Sequence, residues 1–233
     1  LETSSLGFMA RQSALDVRKL GMMPYADALQ IQQTLVRQRR DNEVSDVLLL
    51  VEHPHVVTLG VNARHRLSNL LVTPAQLSAM GVELHDVTRG GDVTYHGPGQ
   101  LVGYPILDLR PDRCDVHRYV RDLETVIMRT VSMFGVRSSR IPGLTGVWVA
   151  DDKLASIGIR LSRWVTSHGF ALNVSTDLTY FDLIRPCGID GKGVTSLSHI
   201  AGSRVLCESV ESVLIKEFGS VFEYVVNSQG AAL

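Results

Sequence analysis

GVWVADDKLASIGIRLSRWVTSHGFALNV, residues 146–174, holds three strand-like runs in succession. They are Gly146–Ala150, Leu154–Leu161 and Phe170–Val174, and Asp151-Asp152 supplies the first turn. Strands that follow one another with no helix between them pair antiparallel. The expected class is therefore α+β rather than a doubly wound parallel sheet. Working outward, a helix follows from about Glu208 to Phe222. Before the strands, Asp115 caps a helix in which Val116, Tyr119, Leu123, Val126, Ile127, Val131 and Phe134 keep helical spacing and Gly135 ends it. Earlier still, Leu101 to Leu109 reads as a strand with Pro105 inside it, which predicts a sheet edge or a bulge. Thr73-Pro74 caps a short helix stopped by Gly81. Val47 to Val51 and Val56 to Leu59 are buried strands, Leu15 to Leu20 a half-buried one, and Pro24 opens a helix to about Arg40 with Ala28, Ile31 and Leu35 on one face.

The composition bounds the rest. The chain has 233 residues, 45% hydrophobic and 20% charged, enough to build one full core without staples. A net charge of −1 gives no basic field for a nucleic-acid backbone. Arg37, Arg39 and Arg40 read as a solvated helix end. Three widely spaced cysteines (Cys114, Cys187 and Cys207) form no disulfide framework and fit a reducing compartment. No apolar run is long enough to span a bilayer, and no secretory or Arg-rich transit pattern is visible. Residues 1–12 are set apart as a disordered extension or expression remnant, 13–225 as one catalytic domain and 226–233 as a tail.

Four glycine-rich stretches stand out. RGGDVTYHGPGQ, residues 89–100, is too rich in Gly and Pro for an ordinary strand or helix. It reads either as a surface loop or as backbone shaped to approach a ligand. It is no dinucleotide loop, since Gly103 comes one residue late and a strand follows. In KLASIG, 153–158, Lys153 is either a solvated edge charge or a lysine desolvated beside a reactive group. In SHGFALN, 167–173, His168 reads first as a satisfied core histidine. In PCGI, 186–189, Pro186 and Gly188 hold Cys187 on a rigid turn, unlike an inert core thiol inside an element. The histidines show no ligand spacing, so no metal is expected.

Taken in order, with VLLLVEHP at 47–54 and VTSL at 194–197, these stretches resemble the lipoyl(octanoyl) transferase family. The resemblance covers roughly residues 13 to 220. It implies the fold of biotin and lipoate protein ligases, a single α+β domain around a mixed, largely antiparallel sheet flanked by helices. It implies that Cys187 carries an acyl thioester and that Lys153 tunes it and moves its proton. It implies that Arg89, Gly90, Gly91, Asp92, Val93, Thr94, Tyr95 and His96, then Ser156, Ile157 and Gly158, then His168, Gly169, Phe170 and Ala171, bind the acyl substrate.

The activity so implied is transfer of octanoyl from octanoyl-acyl carrier protein to a lysine of apo lipoyl domains, as the first step of protein lipoylation. The acceptors would be the E2 subunits of 2-oxoacid dehydrogenases and the glycine cleavage H protein. No cofactor is expected beyond the phosphopantetheine arm of the carrier. The expected protein is a cytoplasmic monomer, in the mitochondrial matrix if eukaryotic, without nucleic-acid or membrane partners. Three rivals stand beside this one: an ATP-dependent lipoate or biotin ligase, a cysteine thioesterase, and a non-catalytic acyl-carrier-binding module.

Overall fold

The structure is a computed structural model that describes residues 13–63, 69–185 and 191–227. Cys187 and its neighbours Pro186, Gly188 and Ile189 lie outside the described residues. In chain order the elements are β1 (Ser13–Met22), α1 (Tyr25–Arg40), β2 (Asp46–Glu52), β3 (Val56–Leu59), α2 (Pro74–Ala79), β4 (Glu83–Asp86), β5 (Val93–His96) and β6 (Gln100–Ile106). They continue with α3 (Val116–Ser132), β7 (Ser139–Ile141), β8 (Leu144–Val149), β9 (Asp152–Ser162), β10 (Val165–Asn173), β11 (Gly193–Val194), α4 (Leu197–Ala201), α5 (Cys207–Phe222) and β12 (Tyr224–Asn227). The main sheet runs β12-β1-β2-β6-β10-β9-β8-β7, with β11 beside β9. From β2 to β7 every neighbour is antiparallel, whereas β1 lies parallel to both β2 and β12. This is the expected α+β class, built as a single domain.

Side-chain alternation along the central strands sends residues to two cores. Leu48 and Leu50 of β2, Leu101 of β6, and Phe170 and Leu172 of β10 pack under α3 and α5. Val47, Leu49 and Val51, with Val102, Tyr104 and Ala171, pack under α1. The predicted stripe of α3 is buried from Tyr119 to Val131, while Val116 in its first turn stays exposed. Asp115 accepts from the Arg118 amide as an N-cap should, and Thr73 makes a full capping box on α2.

Four expectations change. Pro105 sits in a strand flanked on both sides rather than at an edge. The β6–β10 pairing covers only Gln100 to Gly103, and beyond it the Thr166 hydroxyl bridges the Pro105 carbonyl and the Leu107 amide, so the missing proline N–H falls in an interruption of the ladder. Residues 93–96 are not loop but strand β5, in a second sheet ordered β4-β3-β5 over its own core of Val57, Leu77, Tyr95 and Phe181. Arg39 is not solvated, because it pairs with the buried Asp46 at 2.6 Å. The sheet also runs to Asn227 in β12, past the boundary placed at 225. Among the described residues no helix is long and apolar enough to cross a membrane.

Just outside its paired register with β6, β10 passes close to the β6 backbone at Gly169. A β-carbon there would collide with the Gly103 carbonyl oxygen and lie 2.6 Å from the Pro105 ring. Gly169→Ala should therefore cost about 3 kcal/mol or more, since backbone rather than a side chain would have to move. The urea unfolding midpoint reads this out. A midpoint within error of the parent would contradict it.

Candidate active site

Glycine-rich backbone and the α1 face of the main sheet enclose a cavity of about 450 Å³, within the size range of small-molecule sites. Its wall contains Lys153 together with Arg89, Gly90, Gly91, Asp92, Val93, Thr94 and His96, then Ser156, Ile157 and Gly158, and then His168, Gly169, Phe170 and Ala171. Segments up to 82 residues apart in sequence are thus brought to one place. Tyr95 is the exception and a correction. It points away, fully buried in the small-sheet core, with its hydroxyl on His55 Nδ1 at 2.7 Å. In β5 neighbouring side chains face opposite ways, so Tyr95 and its flanking Thr94 and His96 could not all face the cavity.

The first segment is pinned across β9. The Gly90 amide donates to the Ile159 carbonyl at 2.8 Å. The Arg89 guanidinium is buried and reaches the Thr58 carbonyl and hydroxyl at 2.8 and 2.9 Å. Asp92 accepts from the Asn69 side chain, and the Asn69 carbonyl accepts from the Arg185 amide at 2.8 Å. Arg185 is the last described residue before Cys187.

Lys153 is no edge charge, since β9 is flanked by β8 and β10 and the lysine is only 5% exposed. Its ammonium nitrogen lies 4.7 Å from the centre of the Trp148 ring. The Lys153 carbonyl accepts from the Thr195 amide, and β11 pairs Gly193–Val194 with Asp152–Lys153. A run of amides joins this strand to the far wall. His96 Nδ1 donates to Gln100 Oε1, Gln100 Nε2 donates to Asn173 Oδ1, and Asn173 Nδ2 donates to the Thr195 carbonyl.

The distal wall is aromatic, and sequence reasoning missed much of it. Tyr25, Val102 and Tyr104 line the cavity, and none of them was singled out in the sequence. The available signal was Tyr25 and Tyr104 themselves, each a polar-tipped ring in an apolar run. His53 donates from Nδ1 to the Met23 carbonyl at 2.7 Å, so its Nε2 accepts from the Tyr104 hydroxyl at 2.8 Å. His168 is not a satisfied core histidine. Its φ is +55°, a left-handed conformation rare outside glycine, and its amide is held by Gln32 Oε1 at 2.9 Å. Its Nδ1 has no hydrogen-bond partner among the described residues.

Burial keeps these imidazoles neutral. It pushes His53 down to about 4 and His96 down to about 3. His168 falls to about 4 through burial, with the Arg89 charge adding to it. Below the ordinary histidine value near 6.5 the unfolded chain takes up protons that the folded chain refuses. Stability is thus fully present above that value and is lost as pH falls toward 4. Between pH 6.5 and 5 the loss is on the order of 2 kcal/mol per histidine, above the range where ordinary carboxylates titrate. Thermal midpoints measured at pH 7 and pH 5 check this, and equal midpoints would contradict it.

Of the other thiols, Cys114 is exposed and Cys207 is buried at the start of α5. Burial, with Glu52 beside it, pushes the Cys207 thiol well up, so it is a poor nucleophile. Among the described residues no three His, Cys, Asp or Glu side chains converge as a metal site.

The family model described as the lipoyl protein ligase A/B catalytic domain matches residues 24–219. The chain belongs to that family. The octanoyltransferase of Solibacter usitatus is 52% identical over 208 residues, covering 89% of this chain and 93% of that protein. Among solved structures, lipoate-protein ligase A bound with ATP superposes with a TM-score of 0.71 at 14% identity, covering 95% and 90% of the two chains. A bi-partite lipoate protein ligase from Thermoplasma acidophilum, studied with its E2 lipoyl domain, gives 0.70 at 16% identity, covering 94% and 88%. The structural likenesses establish the ligase fold, and the sequence relatives make this chain an acyltransferase.

Proposed function

We propose that the chain transfers an octanoyl group from octanoyl-acyl carrier protein to a lysine of apo lipoyl domains through a thioester on Cys187. The observation that carries this reading is a buried lysine, Lys153, in the wall of a cavity formed by the three glycine-rich segments. Support for Cys187 comes from its neighbours in sequence. Arg185 is tied through Asn69 to Asp92 in the cavity wall, and Gly193–Val194 lie beside Lys153.

The Cys187 thiolate attacks the acyl carbon of the carrier thioester. A new carbon–sulfur bond forms, the bond to the phosphopantetheine sulfur breaks, and the leaving thiolate takes a proton from the Lys153 ammonium. The acceptor amine then attacks the Cys187 thioester. A carbon–nitrogen bond forms, the Cys187 thiolate leaves, and the now neutral Lys153 takes the surplus amine proton. The ammonium is thereby restored, and the net change is thioester plus amine to amide plus thiol. The second step runs downhill and consumes no ATP. Each methylene seated in the cavity contributes about 0.8 kcal/mol, which favours eight carbons over four but separates neighbouring lengths poorly.

The test is intact mass spectrometry after mixing the protein with octanoyl-acyl carrier protein, without ATP. A gain of one octanoyl group, removed by hydroxylamine and passed to an added apo lipoyl domain, is the expected result. An adduct lost to water alone would indicate a thioesterase. Activity that appears only with ATP, Mg²⁺ and free acid would indicate a ligase.

A further inference from the structure

We infer that Trp148 is a positioning residue for Lys153, its indole face fixing where the ammonium stands. This rests on the reading of Lys153 as the proton carrier. Trp148 and Lys153 are cross-strand partners between β8 and β9, where a register shift follows Val147. The ammonium nitrogen stands 4.7 Å from the ring centre, and both residues are nearly excluded from solvent, at 1% and 5% exposure. A cation over an aromatic face is held most strongly where water is excluded, and tryptophan offers the strongest face.

The other side of the slot is Gly146. Its φ is +130°, and a β-carbon there would lie 2.6 Å from the Ala155 carbonyl oxygen and 3.6 Å from Lys153 Cε. The close Ala155 carbonyl requires the bare α-carbon, which lies beside the lysine stem. The Gly146 amide is fixed on Glu124 Oε1 at 3.1 Å, and that fully buried carboxylate is clamped by Arg121 and Arg140. The lysine thus runs between a wall anchored to α3 and an indole face.

Packing does not account for the indole. Its Nε1 is buried without a hydrogen-bond partner among the described residues, which costs stability that phenylalanine or leucine would avoid. What tryptophan adds over leucine is a π face, and over phenylalanine a stronger one.

The test compares Trp148→Leu, Trp148→Phe and Lys153→Ala, with Trp148→Leu also made in the Lys153→Ala background. Single-turnover rates of acyl-enzyme formation and of transfer to an apo lipoyl domain are read for each. Trp148→Leu should slow both about tenfold, Trp148→Phe should recover most of the loss, and Trp148→Leu should change nothing further once Lys153 is gone. Equal losses in both backgrounds would overturn the role of Trp148 alone. Lys153→Ala at the parent rate would overturn the reading of Lys153 and this inference with it. Should Trp148→Leu not fold, fluorinated tryptophans incorporated into Trp164→Phe protein keep the shape of the ring while draining its face. Rates should then fall stepwise with fluorine number, and rates independent of fluorination would overturn the proposal.

Discussion

Cys187→Ala should lower octanoyl transfer by about 10⁴-fold or more and leave no hydroxylamine-sensitive adduct. Without the thiolate, the acceptor amine must attack the carrier thioester directly, with carrier and acceptor domain both at the cavity together. Only the contribution from holding the acyl chain would remain. The neighbouring thiols supply the controls. Cys207 is buried beside Glu52 and is a poor thiolate, so Cys207→Ser should transfer normally if it folds. Cys114 is exposed and absent from the cavity wall, and Cys114→Ser should behave like the parent. Rates and intact masses of the three variants decide the matter. A Cys187→Ala protein that still transfers near the parent rate would sink the thioester mechanism.

Lys153→Ala should slow both acyl-enzyme formation and aminolysis by about 10²- to 10³-fold, the usual worth of a positioned proton carrier. The more informative variant is Lys153→Arg. Guanidinium keeps the positive charge that favours a thiolate but does not deprotonate in proteins. The first half-reaction should therefore retain more activity than the second, in which a neutral base must accept the amine proton. Rapid-quench measurement of the two steps separates them. Near-parent rates for Lys153→Arg at both steps would argue that the lysine acts through its charge alone and carries no proton.

These residues differ in how far they were readable beforehand. Lys153 and its companions in β9 and β10 stood out because consecutive apolar runs with one clear turn leave little choice of pairing, and the glycines between them serve no local propensity. Residues 93–96 were harder. Their strand character shows only once β3 offers an antiparallel partner from 34 or more residues away, and local composition argued for a loop. Pro105 misled for a similar reason. A proline's tolerance depends on whether the ladder is continuous there, and the break is made by Thr166, which lies 61 residues further on. Arg39 read as surface because its partner Asp46 is buried by tertiary packing rather than by helix spacing. Tyr25, Tyr104 and Trp148 were not singled out because burial and cavity lining look alike in an apolar pattern. The left-handed backbone of His168 has no signature in a single sequence.

The neutral imidazoles of the distal wall have a consequence for substrate choice. From about pH 5 upward His96 and His168 in the cavity wall, and His53 hydrogen-bonded to Tyr104, stay neutral, so the imidazoles of the proposed acyl site keep the same charge across the physiological range. On the proposed mechanism, the preference for eight carbons over four should therefore stay constant across that range. A shift in cellular pH would then leave unchanged which chain the acceptors receive.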